Sequence, residues 1–124
     1  MTSPARRQYL DIKAQHQDAL LAYQVGDFFE FFDEDARIAA RDLQIVLTGR
    51  SYGTDEHVPL AGVPVHAAET YLPRLVARGH RVAICEQVAP AGRGLAGRVR
   101  PARGARRRPD GLPHGLRRRE AAAG

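Results

Sequence analysis

The sequence predicts an α/β fold, a mixed β-sheet with flanking helices, followed by a basic C-terminal tail expected to be disordered. Segments with apolar residues at helical spacing alternate along the chain with short β-branched or aromatic runs. Glycines, prolines and acidic clusters fall where such segments start and stop. After Val88 the composition changes abruptly and the apolar periodicity ends.

Taken in order, Ser3-Pro4 supplies an N-cap with proline at the first helical position. Tyr9, Ile12, His16 and Ala19 then recur at helical spacing, which predicts a helix over residues 4–17. Leu20 to Val25 reads as a short buried strand, Gly26-Asp27 as a turn, and Phe28 to Phe32 as a second strand suited to a hairpin with the first. Asp33-Glu34-Asp35 offers a cap and an acidic first turn that complements the helix dipole. With Ala36, Ala39, Ala40 and Leu43 behind it, this predicts a helix over 34–42.

Ile45 to Thr48 has the composition of a buried strand, Gly49 to His57 that of a loop, and Val58 to Pro64 returns to extended structure. A helix over 67–78 follows, with Gly79 where a C-terminal glycine belongs, and a strand over 81–86 closes the series. Pro73 is awkward, because inside a helix it costs about 3 kcal/mol. Either a kink or a helix start near Leu72 would relieve it.

At 124 residues the chain suits one domain with a modest core. No run approaches the length of a membrane span, and the start MTSPARRQYL has no apolar core of a secretory signal, so a cytoplasmic protein is expected. Cys85 stands alone within Val82-Ala83-Ile84-Cys85 and reads as a buried, inert thiol. Residues 1–88 carry a net charge of −3 and residues 89–124 one of +8, so the overall +5 belongs to the tail. Arg, Ala, Gly and Pro make up 29 of those last 36 residues, too few apolar groups to offset the chain entropy of folding. The expected organisation is one domain over 1–88 and a structureless tail over 89–124. Such a tail is either an arginine-rich nucleic-acid binder or the product of a shifted reading frame. Its scattered glycine and proline, with no aromatic interleaving, favour the second.

The most informative stretch is Gly26-Asp27-Phe28-Phe29-Glu30-Phe31-Phe32, which holds all four phenylalanines of the chain. In an extended segment side chains alternate, so Phe28, Glu30 and Phe32 share one face and Phe29 and Phe31 the other. From the residues alone, an acid in this setting reads as reaching solvent at a half-buried sheet edge.

Five segments together, colinear over about residues 4–88, resemble the N-terminal mismatch-sensing domain of the MutS family of DNA mismatch repair proteins. They are Gln8 to Lys13, Gly26 to Glu30, Leu47 to Arg50, Pro59 to Ala67 and Val82 to Gln87. The second is similar to the family's Gly-Asp-Phe-Tyr-Glu signature, with Phe29 in place of the tyrosine. The resemblance implies double-stranded DNA with mispairs or small loops as the partner. It implies that Phe28 enters the minor groove and stacks at the mispair while the duplex kinks, and that Glu30 hydrogen-bonds to the mispaired base. A planar apolar wedge costs a few kcal/mol in unstacking at a paired step and less where pairing is already faulty, so selectivity arises from deformability. A carboxylate near phosphates is unfavourable. Glu30 would therefore penalise ordinary duplex unless a displaced base offers a donor or the carboxyl keeps its proton.

By the same resemblance, Arg50 occupies a position that contacts the DNA backbone, a solvated loop charge being the competing reading. Leu60 lies where a methionine near the minor groove is common, and core packing competes. His66, with no second ligand at a recognisable spacing, is expected to cap or pack at a helix start rather than hold a metal.

Nothing resembles G-x-x-x-x-G-K-[ST], and Lys13 is the only lysine, so no P-loop, ATP hydrolysis or catalytic residue is expected in this chain. ATP and magnesium would belong to the family's ATPase region and dimerisation to others, all beyond this length. No further strand is expected after Gln87, as in a truncated or frameshifted sensing domain. Three readings compete, one of them that the chain has no activity in isolation. Nonspecific nucleic-acid binding through the Arg-rich tail predicts steep salt dependence. A small α/β enzyme using Glu30 and His66 requires the two to converge in a pocket.

Overall fold

The computed structural model describes residues 3–51, 57–88 and 97–103. Its centre is a six-stranded mixed sheet with strand order β3-β4-β2-β1-β5-β6. β1 (Leu20–Val25) and β2 (Phe28–Phe32) form the expected antiparallel hairpin, with Val25 opposite Phe28 and Gly26 at φ +59°. Glycine enters that left-handed region without a Cβ penalty. β4 (His57–Pro64) pairs antiparallel with β2, and β3 (Thr48–Ser51) pairs antiparallel with β4. β5 (Val82–Gln87) runs parallel to β1, from Leu20 opposite Val82 to Tyr23 opposite Cys85.

Helices cover both faces. α1 (Pro4–Gln15) starts at Ser3, whose Oγ accepts a hydrogen bond from the Arg6 N–H at 3.2 Å, and it ends slightly earlier than its apolar spacing predicts. It presses Tyr9 onto Leu21, Tyr23, Phe32, Val58, Leu60, Ala83 and Cys85. On the opposite face α2 (Asp33–Leu43) and α3 (Ala68–Ala77) pack Ala36, Ala39, Leu43, Leu72 and Leu75 against Leu20, Ala22, Phe29, Phe31, Val63 and Ile84. Each large apolar side chain so buried contributes roughly 1.5–3 kcal/mol, and the alternation along β1 and β2 divides these residues between the two layers.

One buried acid joins the layers. The Asp35 carboxylate, in the first turn of α2, accepts the Leu21 N–H at 3.0 Å and pairs with Lys13 of α1 at 2.9 Å. Lys13 also donates to the Ala19 carbonyl at 2.5 Å. Burial first, and then the Asp35 charge, push the Tyr9 hydroxyl well above its ordinary value. At the other end of α2, Asp42 lies 2.7 Å from His80 and 2.9 Å from Arg41. Hydrogen bonds from Arg41 and then His80 hold its carboxyl down to about 2.

Several elements differ from expectation. The residue capping α2 is Phe32, which makes no side-chain cap, and the acidic cluster lies inside the first turn, where it still meets the helix dipole. The strand expected over 45–48 starts instead at Thr48, leaving Val46 74 % exposed. Pairing of Thr48 with Leu60 and of Ser51 with His57 fixes that register, so the apolar run before Thr48 connects α2 to the sheet. A 3-10 turn over Val65–Ala67 precedes α3, which continues through Pro73 without restarting at Leu72. The hydrogen bond forfeited there is the one to Glu69, an exposed residue whose surroundings admit water.

The largest correction concerns the end of the sheet. Gly97–Pro101 forms β6, antiparallel to β5 with Cys85 opposite Val99, where no further strand was expected after Gln87. Composition misleads here because an edge strand needs backbone partners on one side only, and among β6 residues Val99 alone is half-buried. Residues 89–96 and 104–124, the rest of the expected tail, lie outside the described residues.

Candidate nucleic-acid interface

The hairpin, the end of β4, the end of β5 and the start of β6 meet at one end of the sheet, and the face covered by α1 opens there. Three rows of cross-strand neighbours lead outward. The innermost places Phe32 opposite Leu60. The next runs Gly62, Glu30, Tyr23, Cys85, Val99, and the outermost runs Pro64, Phe28, Val25.

Cover by α1 ends between these rows. The Tyr9 ring lies 4.3 Å from that of Phe32 and 6.0 Å, edge-on, from that of Tyr23. Phe32 is accordingly fully buried, Glu30 half-buried and Phe28 44 % exposed. The other two phenylalanines point into the opposite core, Phe29 at 3 % and Phe31 at 0 % exposure. Of the four phenylalanines in this segment, only Phe28 leaves its ring exposed. Phe29, which stands where the signature has tyrosine, occupies a site where a hydroxyl would need a buried partner.

This end is braced from several sides. The Val65 N–H donates to the Asp27 carbonyl at 2.7 Å, tying the hairpin turn to the chain leaving β4. The Gln8 side-chain oxygen accepts from the Tyr23 hydroxyl and, at 3.0 Å, from the Gln87 amide. Gln87 in turn donates its backbone N–H to the Gln24 side-chain oxygen at 3.0 Å. The helix, β1 and β5 are thereby fixed to one another immediately behind Phe28 and Glu30. Val65 and Val88 add exposed apolar surface at the same end. Neither was a site expectation, because each is an isolated valine in sequence.

Phe28 and Glu30 are thus brought together on one face, as strand alternation predicts, but not at a sheet edge. β2 is an interior strand between β4 and β1, so Glu30 does not reach solvent along an edge. Its carboxylate lies against Gly62 of the neighbouring strand. Leu60 is 6 % exposed and packs in the core beneath α1, the competing reading for that residue. Arg50 has its backbone in β3 opposite Val58, and its side chain lies outside the described residues. His66 is exposed in the 3-10 turn, and the residue capping α3, Ala67, makes no side-chain cap, so the histidine neither packs nor caps.

Comparison with known proteins gives a consistent result. Residues 3–107 match the family model for MutS domain I, a span that includes β6. The chain is 56 % identical over 91 residues to a DNA mismatch repair protein MutS of Dehalococcoides mccartyi, covering 73 % of this chain and 11 % of the relative. It is 57 % identical over 86 residues to the protein of the same name from Carboxydothermus hydrogenoformans, and 54 % identical over 86 residues to that from Ruminiclostridium cellulolyticum. Each of these matches covers 69 % of this chain and 10 % of the relative. The chain therefore spans about a tenth of the length of the curated relatives it matches.

Proposed function

Because the chain belongs to the MutS family, matching its domain I over residues 3–107, we propose that it binds mispaired double-stranded DNA by inserting Phe28 at the mispair from the minor groove. The observation that carries this reading is the exposure of Phe28 beside three buried phenylalanines, on a braced backbone and next to a carboxylate. An aromatic ring held at a fixed place on the sheet with nearly half its surface open is available to stack on a partner. A base step already weakened by faulty pairing yields to such a wedge at lower cost than a paired one. Glu30, one row behind, reaches a base displaced by the wedge and makes a hydrogen bond to it, while repelling the phosphates of an undistorted duplex. Arg50, on the edge strand β3 beyond β4 and opposite Val58, is assigned a contact with the DNA backbone away from the wedge itself.

No ATP hydrolysis is assigned to this chain. Its one lysine, Lys13, is engaged with Asp35 and the Ala19 carbonyl and does not fit a phosphate-binding role, so ATP and magnesium belong with other regions of family proteins. Dimerisation belongs there too. A cytoplasmic setting is part of the same proposal and rests on the family reading, not on the lone, buried Cys85.

The test is fluorescence anisotropy of the chain and its Phe28→Ala variant on matched and singly mispaired duplexes at two salt concentrations. Preference for the mispaired duplex, lost in the variant, is the expected result. Equal affinity of the unsubstituted chain for both duplexes would refute the reading, and a steep salt dependence without preference would assign binding to the arginine-rich segment instead.

A further inference from the structure

Gly62 sits in the interior of β4, where glycine weakens a strand and calls for a reason. Backbone conformation does not supply one, since Gly62 is not among the residues with positive φ. The reason lies across the strand pair. A Cβ at position 62 would stand 2.6 Å from Oε2, 2.9 Å from Cδ and 3.0 Å from Oε1 of Glu30. All three atoms of the carboxylate therefore rest against the bare Cα.

We infer that Gly62 is a positioning residue for Glu30, its missing side chain being the seat that holds the carboxylate flat on the sheet, one row behind Phe28. The inference rests on the DNA-binding role proposed for Phe28 and Glu30, and assigns a further residue to that site. Rotation of the carboxylate about its last bond cannot relieve a methyl group at 62, because that rotation leaves Cδ in place at 2.9 Å. The side chain must change an inner torsion, which carries the carboxylate off the sheet. Gly49, in the neighbouring strand, is a control, since a methyl there would meet its closest neighbour at an ordinary 3.6 Å.

The experiment uses the full 124-residue chain with Gly62→Ala, Glu30→Ala, their combination and Gly49→Ala. NMR follows the Glu30 carboxyl carbon and the through-space contact between the Glu30 side chain and residue 62. Binding to matched and mispaired duplexes follows function. Gly62→Ala should shift the Glu30 resonance, abolish its former contact and reduce mispair preference to the level of Glu30→Ala, with no further loss in the double variant. Gly49→Ala should change neither. An unmoved Glu30 resonance in a folded Gly62→Ala chain would overturn the inference whatever the DNA result. Further loss in the double variant would also overturn it, since the two residues would then act separately. A displaced Glu30 in a chain whose unsubstituted form shows no mispair preference would instead refute the DNA reading and leave the seat established. Should Gly62→Ala fail to fold, Gly62→Ala with Glu30→Asp, one methylene shorter, decides. Recovery of the fold supports steric conflict at the carboxylate, and no recovery overturns it.

Discussion

Truncating Phe28 and Phe31 in separate variants distinguishes a ring kept for a partner from one kept for the core. Phe31 is fully buried between the sheet and α2, so Phe31→Ala removes its transfer free energy and leaves a cavity, a loss of about 3–5 kcal/mol. Phe28 is 44 % exposed. Only about half of the roughly 1.5–3 kcal/mol available from burying a phenylalanine is at stake there, or about 1 kcal/mol. The difference, at least about 2 kcal/mol, corresponds to a gap of about 10 °C in midpoint for a domain of this size. Thermal unfolding of each variant followed by far-ultraviolet circular dichroism measures that gap. Phe28→Ala should unfold near the parent's midpoint while losing mispair preference, and Phe31→Ala should unfold far earlier. If Phe28→Ala proves as destabilising as Phe31→Ala, its ring belongs to the core and the wedge has no basis.

Three further outcomes follow from the contacts. Lys13→Met leaves Asp35 buried without its cation, at a cost of about 2–3 kcal/mol once the partial exposure of Lys13 is allowed for; a urea midpoint change worth less than about 0.5 kcal/mol would class the pair with solvated surface bridges. Asp42 has its carboxyl lowered from the ordinary 3.8 to about 2 in the folded chain, so the stability it contributes is complete above about pH 4 and is lost as pH falls through about 2. Unfolding free energy of Asp42→Asn should accordingly decline less steeply than the parent's across that window, and equal slopes would show that the Arg41 and His80 contacts do not act on it. Burial, and secondarily the charge of Glu86, raise the Cys85 thiol. Because a side chain at Gly97 would meet the sulfur at 2.6 Å, Gly97→Val should displace β6 and speed the reaction of Cys85 with a disulfide reagent, and an unchanged rate would show that β6 does not shield it.

What the sequence discloses is mostly local. The hairpin is legible because Gly26, the turn and the alternation of Phe28 to Phe32 lie within a few residues of one another. The shared face of Phe28 and Glu30 follows from the same alternation. How far α1 reaches along that face does not, and it is this reach that buries Phe32 and leaves Phe28 open. Val46 and Leu47 have strand propensity, but the pairing of Thr48 with Leu60 overrides it. β6 is hidden because it buries almost nothing and borrows its order from β5. Gly62 carries no turn signal, and its significance exists only once β2 and β4 stand side by side.

The parallel pairing of β1 with β5 governs the order in which the molecule can assemble. β1 joins β2 as soon as the hairpin forms, whereas its other edge is completed by residues that begin at Val82. At roughly 5–20 residues per second, a ribosome leaves that apolar edge, Leu20 to Tyr23, without its neighbour for several seconds. Closing so long a loop is entropically slow even in the finished chain. The nascent polypeptide is therefore most vulnerable to pairing with other chains before β5 emerges, and chaperone demand should peak in that interval.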